Sequence, residues 1–151
     1  MTKPEDAAEA RALLKLGRGS LGSLAERDGT LFPFVSLVLP ALSAEGEPIL
    51  LLSDLSDHAR NLQRDARASL LLDGTVELKE PLTGPRLTLL GEVQVSPDQA
   101  GDKARYLAVH PEAEMYAGFG DFRFYRFRFF EGLFVAGFGR IFRLKPEELK
   151  G

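Results

Sequence analysis

The 151-residue sequence carries 19 basic and 22 acidic residues, a formal charge of −3 and 27% charged residues, which suits one domain and gives no global bias toward nucleic acid. It contains no cysteine, so disulfides, thiolate metal sites, iron–sulfur clusters and thiol nucleophiles are excluded and a reducing cytoplasm is the expected compartment. The N-terminus MTKPEDAAEARALLKLG lacks the apolar core of a signal peptide, and no run reaches the about 18 apolar residues of a membrane span, so a soluble, unprocessed chain without a membrane partner is expected.

After Pro4, the spacing of Ala7, Ala10, Leu13, Leu14 and Leu16 predicts one apolar helix face, with Glu5 and Asp6 in the first turn and Gly17 at the end. From Ser20 the period moves from 3.6 toward 2. LGSLA, the turn RDGT, PFVSLVLPAL, the turn SAEGEP and ILLLS read as three short strands joined by hairpin signals. Residues 56–64 form a short helix candidate, followed by a strand over 68–72, a loop over 73–84 containing Pro81, and a strand over 86–95. Pro97 opens a helix over about 98–109, and Pro111 starts a second short helical turn. Residues 122–130 and 133–144 read as two strands joined at Glu131 and Gly132, and the tail KPEELKG reads as frayed. About six strands with hairpin connections and few intervening helices favour a mainly β, antiparallel barrel with peripheral helices over a parallel α/β sheet. No repeat, linker or low-complexity tract divides the chain, so one domain over 1–151 is expected.

Few motifs carry chemistry. In FRFYRFRFF, Tyr125, Phe127 and Phe129 fall on one strand face and Arg126 and Arg128 on the other. This is a core-facing aromatic stripe with arginines outside or at a subunit contact rather than a single-strand nucleic-acid surface. Phe122 and Phe124 are out of phase with that stripe, which predicts a bulge or a late strand start near Tyr125. Gly137 and Gly139 around Phe138 fit a barrel bend or a close backbone approach, without the strand-to-helix context of a dinucleotide loop. The two histidines, His58 and His110, are far apart and lack metal-ligand spacing, and His110 beside Pro111 reads as a helix-end residue. No GxSxG marks a serine hydrolase.

The segment SDLSDHARNL at 53–62 is the most informative. A strand ends at Ser53 and a helix starts near Ser56, a plausible N-cap, and a helix start presents unpaired N–H groups to an anion. His58 adds a donor, whereas Asp54 and Asp57 place negative charge beside the same spot. Locally, the segment serves equally as a plain connection with first-turn acids.

The order of elements, with HARNL at His58, PLTGPRLTLLG at Pro81, DFRFYRF at Asp121 and VAGFGRI at Val135, resembles the flavin-binding split barrels related to pyridoxamine 5′-phosphate oxidase, and most nearly their haem-iron utilisation branch. The resemblance covers about residues 10–144. It implies a homodimer of six-stranded antiparallel barrels with FMN in clefts at the subunit interface. The FMN phosphate would lie at Ser53, Ser56 and His58, the isoalloxazine along Ser36, Leu37 and Val38, with Arg86 at the ring and Phe138 and Gly139 approaching the same cleft. The oxidase uses basic residues about where Ser36, Asp57 and His58 stand, and its C-terminal substrate region has no counterpart here, so pyridoxamine phosphate oxidation is not expected. The additional domain or histidine-bearing tail of the branch's haem-binding members is likewise not seen before the ending KPEELKG.

The resemblance therefore implies an FMN-dependent oxidoreductase acting on a small-molecule substrate or a reduced nicotinamide, in which the protein orients the flavin, excludes water and tunes the ring, with Arg86 stabilising negative charge on the reduced pyrimidine edge. A non-catalytic flavin- or haem-binding module is the alternative, and an empty cleft a third.

Overall fold

The computed structural model describes residues 3–151. Its strands are β1 (Gly19–Arg27), β2 (Thr30–Val38), β3 (Ala41–Leu42), β4 (Pro48–Ser53), β5 (Arg67–Asp73), β6 (Arg86–Val95), β7 (Phe122–Gly137) and β8 (Arg140–Leu144), and every ladder is antiparallel. Laterally they run β2-β1-β5-β6-β7-β4-β3, with β8 beside the second half of β7. The described residues thus form eight strands rather than six, because the run through Leu42 makes a separate β3 and the run at 133–144 divides between β7 and β8. The mainly β, antiparallel class with peripheral helices stands as expected.

The two outermost strands, β2 and β3, are neighbours in sequence, joined only by Leu39 and Pro40. The sheet has to curl until its ends lie that close, yet no ladder joins them, so the barrel stays split. Its interior holds Leu21, Leu50, Leu70, Leu72, Leu87, Leu89, Phe127 and Phe134, all fully buried.

Strand β7 departs from expectation. It continues through Glu131 and Gly132, because Phe129 faces Gly91 and Glu131 faces Leu90, leaving Phe130 as the extra residue of a bulge. A Cβ at Gly91 would collide with the Arg128 carbonyl, so glycine permits the bulge. The reversal comes later, at Phe138 and Gly139, where Gly139 has φ +73°. No bulge or late start occurs near Tyr125; β7 pairs regularly with β4 from Phe122 onward. The aromatics alternate poorly there because both faces are covered: Tyr125, Phe127 and Phe129 join the barrel interior, while Phe124 packs outside it with Ile49, Tyr106, Ala113 and Ala117.

The helices are α1 (Pro4–Leu13), α2 (Asp57–Arg64), α3 (Gln99–Val109), α4 (Glu114–Ala117) and α5 (Pro146–Lys150). Ala7, Ala10, Leu13 and Leu14 are buried as the pattern predicts, whereas Leu16 lies beyond the helix and is exposed. Strand β7 holds α3 through Arg126, whose Nε and Nη2 donate to Asp102 Oδ2 and Oδ1 at 2.6 and 2.8 Å, while Ser96 Oγ donates to Oδ2 at 2.6 Å. Arg126 is therefore no solvent-facing arginine, being only 4% exposed. Removing one partner of such a pair strands a buried charge, at a cost of about 3–5 kcal/mol.

The tail is also ordered into the fold. Pro146 opens α5, Glu148 Oε1 accepts from Lys145 N at 3.0 Å, and Leu149, 1% exposed, packs onto Gly132. Tertiary burial rather than propensity fixes so short a helix. Leu149→Ala is expected to lower stability by about 2–5 kcal/mol in urea titration; a frayed tail would give no change.

Candidate functional site

The split leaves two strand edges without ladders. Strand β2 pairs only with β1, and residues 50–53 of β4 pair only with β7, so each presents unpaired main-chain N–H and C=O groups. Between them lies a slot of about 270 Å³ lined by Leu37, Val38, Leu39, Leu51, Leu52, His58, Tyr106 and Tyr116. The lining is apolar apart from one imidazole and two phenols. Burial pushes the Tyr106 phenol well above its usual pKa, with the charges of Tyr116 and Glu112 adding to the effect, so it stays protonated.

Helix α2 brings His58 to the slot. Asn61 Nδ2 donates to Ser23 Oγ at 3.2 Å, and Ala59 and Leu62 are buried in the barrel interior, so the helix is fixed on β1. The expected N-cap is present: Ser56 Oγ accepts from Ala59 N at 3.3 Å. His58 Nδ1 lies 3.0 Å from Ser36 Oγ on β2, bridging helix and strand. His58 Nε2 makes no hydrogen bond; since no buried side-chain N or O lacks a partner among the described residues, this nitrogen is open to solvent. Burial lowers the imidazole's pKa below 6.5 against the opposing charge of Asp57, so the ring is neutral at pH 7.

The turn before α2 spends its hydroxyl donors internally. Ser53 Oγ donates to Asp121 Oδ2 at 2.6 Å, and Ser56 Oγ donates to the Ser53 carbonyl at 2.6 Å. Asp54 is turned into a pair of its own, 2.9 Å from Arg123 Nε and accepting from Tyr125 Oη at 2.7 Å. Main-chain N–H groups of the first turn, at Asp57 and His58, are what remains. A phosphate dianion calls for charge-assisted donors; here it would meet the Asp57 and Asp121 carboxylates, and the arginine at this turn, Arg123, is already committed to Asp54. The donor set of the turn does not fit the phosphate of FMN.

Of the residues singled out from the sequence, Leu37, Val38 and His58 line the slot, Ser36 stands behind His58, and Ser53 and Ser56 build the turn. Arg86, Phe138 and Gly139 are not with them. They line a separate groove of about 180 Å³ with Leu82, Val135, Gly137 and Ile141, and β1 and β5 separate its strand β6 from β2. Arg86 Nη1 there donates to the Leu82 and Gly84 carbonyls at 3.0 and 3.2 Å. Sequence reasoning missed Tyr106 and Tyr116, because nothing local shows that α3 and α4 fold over the slot, and missed Asp121, whose contact with Ser53 spans 68 residues.

A family model described as CREG, beta-barrel, matches residues 1–149. The chain belongs to this family. A non-canonical haem oxygenase HOZ of Arabidopsis thaliana, a chloroplastic protein, is 42% identical over 97 residues, covering 63% of this chain and 29% of its own length. A solved structure of a haem-binding protein from Mycobacterium smegmatis is 30% identical, with TM-score 0.85, over 99% of this chain and 62% of that one. The chain thus spans less than two thirds of either relative. A Clostridium acetobutylicum protein of the pyridoxinephosphate oxidase family, 14% identical with TM-score 0.72 over 98% and 99% of the two chains, shares the fold. This CREG-family chain thus has the split-barrel fold of that pyridoxinephosphate oxidase family protein. Among the described residues, no helix is long and apolar enough to cross a membrane.

The depressed pKa of His58 fixes a pH dependence. The unfolded chain takes up this proton first, so the His58 contribution to stability is constant above pH 6.5 and falls as the pH drops through the depressed folded value. Urea midpoints of the protein and His58→Gln at pH 8, 6.5 and 5 are expected to show the wild type losing ground to the variant as the pH falls. A constant difference would contradict the burial of this imidazole.

Proposed function

We propose that this CREG-family β-barrel binds haem in the slot between β2 and β4, with His58 as the iron ligand, and works as a homodimer. The observation that carries this reading is the His58 imidazole: neutral, held at Nδ1 by Ser36, and open at Nε2 beside an apolar slot. With Nδ1–H donating to Ser36 Oγ, Nε2 keeps its lone pair for a metal, the arrangement in which a second partner fixes a ligating histidine's tautomer and orientation. Leu37, Val38, Leu39, Leu51 and Leu52 suit a flat apolar macrocycle, and the phenols of Tyr106 and Tyr116 supply polar tips. Bound haem would supply an iron centre that takes up oxygen and electrons. The names of the mycobacterial and plant relatives support haem as the ligand; breakdown of the bound haem is what the plant relative's name adds.

One chain does not complete the site. At about 270 Å³ the slot is smaller than the about 300–1,000 Å³ that bury an organic ligand. Beside it, β2 is an apolar edge strand left bare, with Val35 71% and Leu37 60% exposed, a liability that partner association removes. Its outward residues continue across β1, β5 and β6 in the rows Val35–Gly22–Ser69–Leu90 and Leu37–Ser20–Leu71–Thr88, apolar or small as far as β6, beyond which Glu131 and Leu133 follow on β7. A second copy on this face covers those rows. The groove of Arg86, Phe138 and Gly139 is the natural source of a second wall, with a guanidinium for the carboxylates of haem.

FMN is the second reading. The two unpaired strand edges offer main-chain donors and acceptors to a flavin's pyrimidine edge, against a turn whose arginine, Arg123, is committed to Asp54. Oxidoreductase activity with a reduced nicotinamide and a small-molecule substrate belongs to that reading.

Titration of the purified protein with haemin, followed by absorption and light scattering, separates the two. A Soret band saturating in a dimer is expected, lost in His58→Gln and about tenfold weaker in affinity in Ser36→Ala, the usual effect of removing the group that orients a ligating histidine. A protein that carries a flavin spectrum and ignores haemin would overturn the haem reading.

A further inference from the structure

The outer face of α2, from Asp57 to Arg64, carries a second pocket that the haem reading does not use. It is about 480 Å³ in volume and is lined by Arg27, Asp57, Arg60, Asn61, Gln63 and Arg64. Three arginines therefore line one concavity, from the tip of the β1–β2 hairpin and from one face of α2, in a chain whose net charge is −3. Their charges are poorly answered by the protein. Arg27 Nη1 donates to its neighbour's carbonyl, that of Glu26, at 2.9 Å. Arg64 Nη1 is 3.8 Å from Glu26 Oε2, a long and half-exposed contact, while its Nη2 donates to Asn61 Oδ1 at 2.8 Å. Arg60 has no carboxylate partner among the described residues. Asp57, at the first turn of the helix, is the one acid in the lining.

We propose that this pocket binds a compact dianion of the phosphate-monoester class. Arg60 and Arg64 stand at i and i+4, where like charges repel on a helix surface; an anion between them turns that repulsion into two attractions. Guanidinium forks match phosphate oxygens in pairs, and such charge-assisted bonds are the strong ones. One arm of the cradle is held in place beforehand: Asn61, 2% exposed, is tied to Ser23 Oγ through Nδ2 and orients Arg64 through Oδ1, which reduces the ordering that binding has to impose there. The volume exceeds that of a phosphate group and leaves room for the organic part of the ester. The three arginines offer cations not committed to a buried carboxylate, unlike Arg123 at the Ser53–Ser56 turn.

The test uses inorganic phosphate, added at constant ionic strength against chloride, with the Arg side-chain N–H signals followed by NMR. Saturable shifts are expected at Arg27, Arg60 and Arg64 and absent at Arg67, which Asp65 holds. In the double variant Arg27→Gln/Arg60→Gln, whose substituted residues are exposed, the dissociation constant is expected to rise about tenfold or more while the haemin titration is unchanged, which separates this pocket from the slot. Shifts that chloride reproduces, that grow linearly without saturation, or that survive in the double variant would mean an adventitious ion only and overturn the proposal.

Discussion

Leu39 and Pro40 join the two outermost strands of one curled sheet, and no ladder closes the gap between those strands. Much of what matters for binding follows from that short link. Because it keeps β2 and β4 close without bonding them, each strand offers an open main-chain edge to a common slot. Helix α3 secures the link: His110 Nε2–H donates to the Pro40 carbonyl at 2.9 Å, and the ring of His110 packs against that of Tyr106, which lines the slot. The same helix is held to β7 by the buried pair of Asp102 and Arg126. One wall of the slot thus rests on an ion pair outside the barrel, and α2, fixed by Asn61 on Ser23, forms another.

Of the two acids that the sequence places beside the turn, Asp57 stays exposed at the start of α2, whereas Asp54 does structural work. It neutralises Arg123 and accepts from Tyr125, and a third acid, Asp121, accepts from the Ser53 hydroxyl. The turn is rigid as a result, and its serine hydroxyls are committed to protein acceptors. A neutral imidazole held by a hydroxyl is left as the reactive feature of this corner. That shifts the balance from a phosphate-anchored flavin toward a metal-centred macrocycle, with the same residues at the centre of attention.

The succession of strands along the chain, the hairpin turn at Asp28 and Gly29, both left-handed at φ 53° and 77°, and the Ser56 cap were all legible in the sequence, since they follow from local patterning and turn chemistry. The features that escaped it depend on distant partners. Glu131–Gly132 reads as a turn, and only Gly91 on the neighbouring strand lets Phe130 bulge instead. Arg126 reads as a surface arginine until Asp102, 24 residues away, is folded onto it. KPEELKG reads as frayed because so short a helix gains its stability from Leu149 in the core. The residues singled out as one site fall in two places: Leu37, Val38 and His58 line the slot, whereas within one chain Arg86, Phe138 and Gly139 line a groove of their own.

The central claim is that His58 Nε2 is a metal ligand at the split, and electron spin-echo spectroscopy of the ferric haem complex made with ¹⁵N-histidine tests it most directly. With His58 and His110 the two histidines of the chain, the account predicts an axial ¹⁵N coupling that is absent in His58→Gln and intact in His110→Gln. A haem complex without axial nitrogen, or with a coupling that survives in His58→Gln, would contradict it.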